Sequence, residues 1–225
     1  MSNIKVMLSA AFKEAYLELL PQFERASGHT VESLWVASVQ MMSRLKGGEA
    51  VDLVILSAAS LDELRKAGIV TERTDLVKSG IGVAVKAGAP RPDISSGAAV
   101  KRAVLAAKGV AYSTGPSGLY LVGLFQRMGI ADQIKHKVTQ TQGQPSGGVV
   151  ARGEAEIAFQ QISELLPVPG IELVGPLPPD IQEITIFAAG LHAHAKSPDA
   201  AKALVKFLTS PVAAPVIRSK GMEPA

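Results

Sequence analysis

The strongest constraint on the fold is an alternation of short apolar runs with amphipathic helical patterns, repeated three times at the start of the chain. Ile4 to Leu8 is apolar and is followed by helical spacing from Ala10 to Ala26. Thr30 to Val36 alternates as a strand does, before a further helical pattern. Val51 to Leu56 and Ser57 to Lys66 repeat the unit. Three consecutive strand–helix units predict a parallel sheet with helices on its faces.

A second set of strands and helices is framed by two apolar runs, Ile81 to Lys86 and Ile184 to Ala189. Two helices with proline at their starts, Pro198 to Leu208 and Pro211 to Ser219, follow without a sheet of their own. We therefore expect them to return to the first set, with the two apolar runs as crossover strands. These crossovers divide the chain into a first lobe, residues 1–82 with 187–225, and a second lobe, residues 83–186.

Composition and charge exclude several classes of protein. The 225 residues are 47% hydrophobic, enough to bury a full core. The formal net charge is only +3 with basic and acidic residues interspersed, so we expect no nucleic-acid partner. Cysteine is absent, and no stretch approaches the roughly 20 apolar residues that cross a bilayer, so we expect neither thiol chemistry nor membrane insertion. We expect a monomer, cytoplasmic as the sequence stands or periplasmic if an export signal was removed.

Small or hydroxyl-bearing residues occupy every junction between a strand and the following helix. In an open parallel sheet these junctions lie where free N–H groups and helix dipoles favour an anion. The alternative is that the hydroxyls are ordinary helix N-caps, as Ser38 is placed to be. Their repetition favours a site for a small anion. The junction residues predicted to contact the ligand are Ser9, Ala10, Ala11, Ser38, Ser57, Thr114, Gly115, Ser117 and Gln144.

Motifs for nucleotide, metal or triad chemistry are missing or misplaced. The glycines of GIGVAV, Gly80 to Val85, lie at the start of a strand rather than between a strand and a helix. His192 and His194 lie two residues apart, but no third ligand accompanies them, so we expect no metal and no cofactor. No Ser-His-acid set can be assembled, which leaves any catalytic residue unknown.

Two groups of side chains near the first junctions have open roles. Met41, Met42 and Trp35 are expected in the core, with the wall of a ligand pocket as the alternative. The charged residues near the first helix starts are candidates to pair with a carboxylate ligand, or alternatively form a solvated face: Lys13, Glu14, Arg44 and Lys46.

Five segments carry a resemblance that extends over nearly the whole chain. They are IKVMLSAAFKEAYLELLPQFE, EAVDLVILSAASLDELRKAGIV, STGPSGLYLVGLF, VVARGEAEIAF and ALVKFLTSPVAAPVIRSKGM. In their order and spacing they resemble the molybdate-binding-protein family of transporter substrate-binding proteins. The resemblance implies an α/β, two-lobed type II periplasmic-binding-protein fold, in which each lobe is a mostly parallel sheet flanked by helices. It also implies a ligand between the lobes and a transporter permease as partner.

The family's ligand positions can be carried over residue by residue. Its first-loop serine falls on Ala11, and its second-loop serine falls on Ser38. Its second-lobe backbone donors fall near Ser117 and Gly143, and its tyrosine falls near Gln161. The changes at Ala11 and Gln161 remove a hydroxyl and a phenol, donors that a compact tetrahedral oxyanion needs.

Gln160 and Gln161 offer amides suited to a carboxylate. We therefore predict a solute-binding protein that closes its lobes over an organic di- or tricarboxylate rather than molybdate. Aconitate isomerase resembles this broader family and is identified as a member of it. The alternative is thus an isomerase that shifts a double bond in a tricarboxylate, although no positioned base is evident in the sequence.

Overall fold

The computed structural model describes residues 1–225 as a mixed α/β protein. The strands are β1 Asn3–Leu8, β2 Thr30–Trp35, β3 Leu53–Ser57, β4 Val70–Lys86, β5 Val110–Ser113, β6 Val138–Thr141, β7 Ile157–Gln161, β8 Ile171–Pro176, β9 Ile184–His192 and β10 Glu223–Pro224. The helices are α1 Lys13–Ser27, α2 Ser38–Lys46, α3 Ala58–Lys66, α4 Gly97–Ala106, α5 Pro116–Arg127, α6 Ala131–Ile134, α7 Ser146–Ala151, α8 Ile162–Leu165, α9 Pro198–Leu208 and α10 Ala214–Ser219. None of these helices has both the length and the apolar character that crossing a membrane requires.

The chain folds into two compact units. Unit 1 comprises Met1–Ser79 with Thr185–Ala225, and unit 2 comprises Gly80–Ile184. The chain passes from one unit to the other twice, once within the sequence of β4 and once at the start of β9. Each unit has its own sheet and its own hydrophobic clusters.

In unit 1, β1 lies between β2 and β3 and is parallel to both, while β9 pairs with β3 in the antiparallel direction. Strand β1 is covered on both faces. Ile4, Val6 and Leu8 pack in one cluster with residues of α1 and α9, while Met7 packs in another with residues of α2 and α3. Burial on both faces is why Val6, Met7 and Leu8 are apolar in succession rather than in alternation with polar residues, whereas Lys5 is only partly buried.

In unit 2, β5 lies between β6 and β7 and is parallel to both, while β4 pairs in the antiparallel direction with β7 and β8. Tyr112 and Phe159 pack with residues of α4 and α5 on one face of this sheet. Ala111 and Ala158 pack with residues of α7 on the other face. The predicted α/β class, with sheets flanked by helices, is confirmed, and in each unit three parallel strands are extended by antiparallel pairings.

Several predicted boundaries are wrong. Strand β4 begins at Val70 rather than at Ile81. Its first half is polar and is not predicted from β-strand propensity, but it pairs with β10 at Val77 and Lys78. Before β6, Lys135–Lys137 forms a 3-10 turn, and the chain is extended only from Val138. The last helix begins at Ala214, after a turn, rather than at Pro211.

The expected core residues around α2 divide into two groups. Met41 is fully buried and Met42 partly buried, which confirms the expectation for this pair. Trp35 is different, since it ends β2 with 37% of its surface exposed. Placing Trp35 in the core was wrong, because the sheet stops at this residue and leaves one side of the indole uncovered.

Candidate functional site

Strands β1, β2 and β3 of unit 1 end side by side. Leu8 is in register with Trp35 on one side and with Ile55 on the other. The pairing continues into the loops, where the Ser9 N–H donates to the Ile55 carbonyl at 3.2 Å and the Val36 N–H donates to the Leu8 carbonyl at 3.1 Å. The three loops therefore share one edge of the sheet, and α1, α2 and α3 begin there.

The first of these loops contains Ser9, Ala10 and Ala11. Ser9 is only 5% exposed, and its hydroxyl has no hydrogen-bond partner. Ala11 is buried, whereas Ala10 is exposed. The Ser9 hydroxyl is therefore an unused donor at the sheet edge. Its burial without a partner costs free energy of folding.

The next two loops use their serines differently. Ser57 is the N-cap of α3, where its hydroxyl accepts from the Ser60 N–H at 3.4 Å and donates to the Ser60 hydroxyl at 2.9 Å. Ser38 is instead the first residue of α2, and Ala37 occupies the N-cap position. The prediction that Ser38 caps this helix is therefore wrong, because the helix begins one residue earlier in the chain than the cap would need. Its partly buried hydroxyl is not used in capping.

The corresponding edge of unit 2 is formed by β5 and β6. Ser113 is in register with Thr141, and the Thr114 N–H donates to the Thr141 carbonyl at 2.9 Å. Gly115 is the N-cap of α5. Ser117 is 1% exposed, and neither its hydroxyl nor that of Thr141 has a hydrogen-bond partner. Unit 2 thus also carries unused donors where its parallel strands end.

The start of α5 packs closely against the end of β5. A Cβ atom on Gly118 would lie 1.5 Å from the Ser113 carbonyl oxygen, which no side chain can tolerate. Glycine at this position lets the first turn of α5 rest directly on the end of β5. The free N–H groups of that first turn are thereby held at the sheet edge.

Gly143 and Gln144 lie in the loop between β6 and α7, and both are exposed. Gly143 has φ of +71°, a left-handed conformation that favours glycine. Its backbone N–H is the group that the family resemblance implies as a donor to the ligand. The exposed loop leaves room for a ligand to approach.

Gln160 has both ends of its amide occupied. Its Oε1 accepts from the Ser146 N–H at 2.7 Å and from the Ser146 hydroxyl at 2.9 Å. Its Nε2 donates to Oε1 of Glu164 at 2.9 Å. Gln160 therefore fixes the start of α7 and orients Glu164. Gln161, fully buried at the end of β7, also has a partner in the fold.

Glu164 is a titratable group that the sequence analysis missed. It is partly buried in α8, three residues after the end of β7. Burial raises the pKa of Glu164 to about 7, and the hydrogen bond from Gln160 opposes this rise. An acid of near-neutral pKa suits proton transfer at neutral pH. The signal in the sequence is a carboxylate placed four residues after Gln160, just beyond an apolar strand.

The charged residues near the first junctions are not equivalent. Arg44 and Lys46 lie in the last turn of α2 rather than near its start. They pair with carboxylates, Arg44 with Glu49 at 2.6 Å and Lys46 with Glu63. Expecting either to lie beside the junctions was wrong, because a helix that begins at the sheet edge carries its last turn away from it. Lys13, the first residue of α1, does lie at the edge.

A cavity of about 620 Å³ in unit 2 lies away from these junctions. It is lined by α4 and by Lys86, Ala107 and Ile157, at the amino ends of β5 and β7. None of the predicted ligand-contacting residues lines it. Because ligands of open α/β sheets bind at the carboxyl ends of the strands, the junctions rather than this cavity form the candidate site.

The two neighbouring histidines are engaged by the backbone of unit 1. Nδ1 of His192 accepts from the His194 N–H at 3.1 Å, and the His192 N–H donates to the Asp52 carbonyl at 3.1 Å. The Asp52 carboxylate in turn accepts from the N–H groups of Lys5 and Lys196. No group of three or more His, Asp or Glu side chains is arranged to hold a metal ion.

Comparison with known proteins identifies relatives along the whole chain. Residues 4–223 match the family model described as bacterial extracellular solute-binding protein. An aconitate isomerase from Pseudomonas sp is 36% identical over 231 residues, which cover 99% of this chain and 88% of that protein.

Solved structures with the same fold include anion-binding proteins. The periplasmic molybdate-binding protein of Azotobacter vinelandii matches with a TM-score of 0.79 at 18% identity, covering 97% of this chain and 98% of that one. The substrate-binding domain of a putative molybdenum ABC transporter from Clostridium difficile matches with a TM-score of 0.74 at 17% identity, covering 100% of both chains. These matches confirm the predicted resemblance in fold. With the family model matched over nearly all its residues, the chain belongs to the bacterial extracellular solute-binding protein family.

Proposed function

We propose that the chain binds a small organic di- or tricarboxylate in preference to molybdate. The observation that carries this proposal is the set of hydroxyls without partners where the parallel strands end, Ser9 in unit 1 and Ser117 and Thr141 in unit 2. At either edge, an anion rich in acceptor oxygens would satisfy donors of this kind. The helices that begin at the same edges, α1 and α5, add favourable dipoles.

The choice of a carboxylate rests on two positions and one relative. Ala11 is buried and has no hydroxyl, while Gln161 supplies an amide where the molybdate-binding family is expected to have a phenol. A tetrahedral oxyanion loses the hydroxyl and the phenol that would donate to it at these positions. The relative at 36% identity bears the name aconitate isomerase, and aconitate is a tricarboxylate.

Thermal unfolding and calorimetry with cis-aconitate, trans-aconitate, tricarballylate, succinate, sulfate and molybdate test the proposal. At a hundredfold excess over its dissociation constant, a specific ligand should raise the free energy of unfolding by about 2.7 kcal/mol. We expect this for at least one of the organic acids, and weaker binding of it after Gln161→Ala. Tight binding of molybdate, with no response to any organic acid, would contradict the proposal.

A second candidate function is isomerisation of a tricarboxylate, and Glu164 is the observation that favours it. Its pKa of about 7 and its position just after β7 suit a base that takes a proton from a methylene carbon. The C–H electron pair then forms a new double bond to the adjacent carbon. The original double bond opens and its far carbon receives the proton, so the shift needs no oxidant or reductant.

Incubation of cis-aconitate with the protein in D2O, followed by proton NMR, tests this second function. We expect the trans isomer to form with deuterium incorporated, and the rate to rise with pH through about 7 as the base ionises. Glu164→Gln keeps an acceptor for Gln160 and should bind the acid while losing turnover. The exposed Glu183→Gln is the matched control. Binding of cis-aconitate without isomerisation in the parent protein would leave binding as the function.

A further inference from the structure

The basic residues of the three strand–helix units in unit 1 are unevenly placed. Helices α2 and α3 begin at the edge of the sheet where β1, β2 and β3 end, and four basic residues lie in their last turns: Arg44, Lys46, Arg65 and Lys66. A helix of nine residues is roughly 13 Å long, so these charges are carried well away from that edge. Lys13 is the first residue of α1 and therefore stays beside it.

Lys13 is also unpaired with any acid. Its ammonium lies over the Trp35 ring, 5.7 Å from the centroid, and it has no carboxylate partner. The indole is held by Tyr16, whose ring packs edge-on against it at 5.8 Å. Tyr16 is itself fixed through its hydroxyl, which lies 3.1 Å from the Ser33 hydroxyl. The Lys13 ammonium therefore lies at the exposed Trp35 ring with its hydrogen-bond donors free.

An independent feature at the same junction indicates an anion. Ser9 lies four residues before Lys13, is only 5% exposed, and has a hydroxyl without a hydrogen-bond partner. A carboxylate has acceptor oxygens for both a hydroxyl and an ammonium, and a charge-assisted hydrogen bond is stronger than the contact of a cation with a ring.

We infer that Lys13, supported on the face of Trp35, is a cationic subsite that binds one carboxylate group of the ligand, together with the Ser9 hydroxyl. This inference rests on the proposed binding of a polycarboxylate. The remaining donors at the junctions are neutral, so Lys13 sets the preference for ligands with several charged groups. A compact ammonium suits a single carboxylate, because it acts as a point charge.

Trp35 is the one tryptophan of the chain, so its fluorescence reports on this subsite directly. Titration of the full chain with tricarballylate and with succinate should change the Trp35 emission as the ammonium leaves the ring. Lys13→Met should raise the dissociation constant for tricarballylate at least about tenfold and reduce the preference over succinate. Lys13→Arg should recover part of the affinity.

Lys66→Met is the matched control, since it removes the same charge from unit 1 at an exposed residue ending α3. It should bind tricarballylate as the parent protein does, and all variants should unfold at the parent temperature. If Lys13→Met binds as tightly as Lys66→Met by calorimetry, the subsite is refuted while the proposed function stands. If the parent protein binds no carboxylate at all, both are refuted.

Discussion

Replacing Glu164 by glutamine should remove a pH-dependent cost of folding. Burial raises the pKa of this carboxyl from its ordinary value of 4.5 to about 7. Below pH 4.5 it is protonated in both the folded and unfolded states and imposes no cost. The cost grows as the pH rises, because the unfolded chain ionises first, and it is complete above about pH 7. At about 1.36 kcal/mol per pH unit, with some solvent screening of a partly buried group, the total is at most about 3 kcal/mol.

The assay is urea unfolding of the parent protein and of Glu164→Gln between about pH 4.5 and about pH 8. The variant should gain stability relative to the parent as the pH rises, and the gain should level off above about pH 7. Its amide oxygen can still accept from Nε2 of Gln160, so the hydrogen bond is retained. Glu183→Gln should show no such pH-dependent gain. A constant difference between Glu164→Gln and the parent across this range would refute the raised pKa and remove the basis for a proton-transfer role.

Two substitutions, each with a control, test the geometry of the junctions. Gly118→Ala should destabilise the fold by about 3 kcal/mol or more in thermal or urea unfolding, because the new methyl group meets a backbone carbonyl 1.5 Å away. In the same helix, Gly123→Ala meets only the flexible end of Arg127 at 3.2 Å and should stabilise by up to about 1 kcal/mol; equal effects would refute the close packing. Ser38→Ala should weaken binding of the organic acid by about 1.5 to 3 kcal/mol in calorimetry, while Lys202→Ala should have no effect. Unchanged affinity in Ser38→Ala would exclude this hydroxyl from the site.

The elements closest to regular patterns could be predicted from the sequence. The apolar run ending at Leu8 and the helix beginning at Pro198 are specified by residues within each segment, and the structure has both. Strand β4 could not be predicted from its start, since Val70 to Lys78 owes its extended form to partners elsewhere in unit 1, such as β10. Local patterns encode local structure, whereas pairing between distant segments depends on the whole fold.

For the site, the sequence determined which residue types stand at the strand ends, because a strand–helix alternation fixes the positions of the junctions. It did not determine how each polar group is used. Ser57 caps α3, and the amide oxygen of Gln160 accepts a hydrogen bond from Ser146. Ser9 and Ser117, in contrast, have hydroxyls without partners. These differences depend on which groups are brought within hydrogen-bond distance and which are removed from water. Only the tertiary structure decides both, because burial and partners come from segments far apart in the chain.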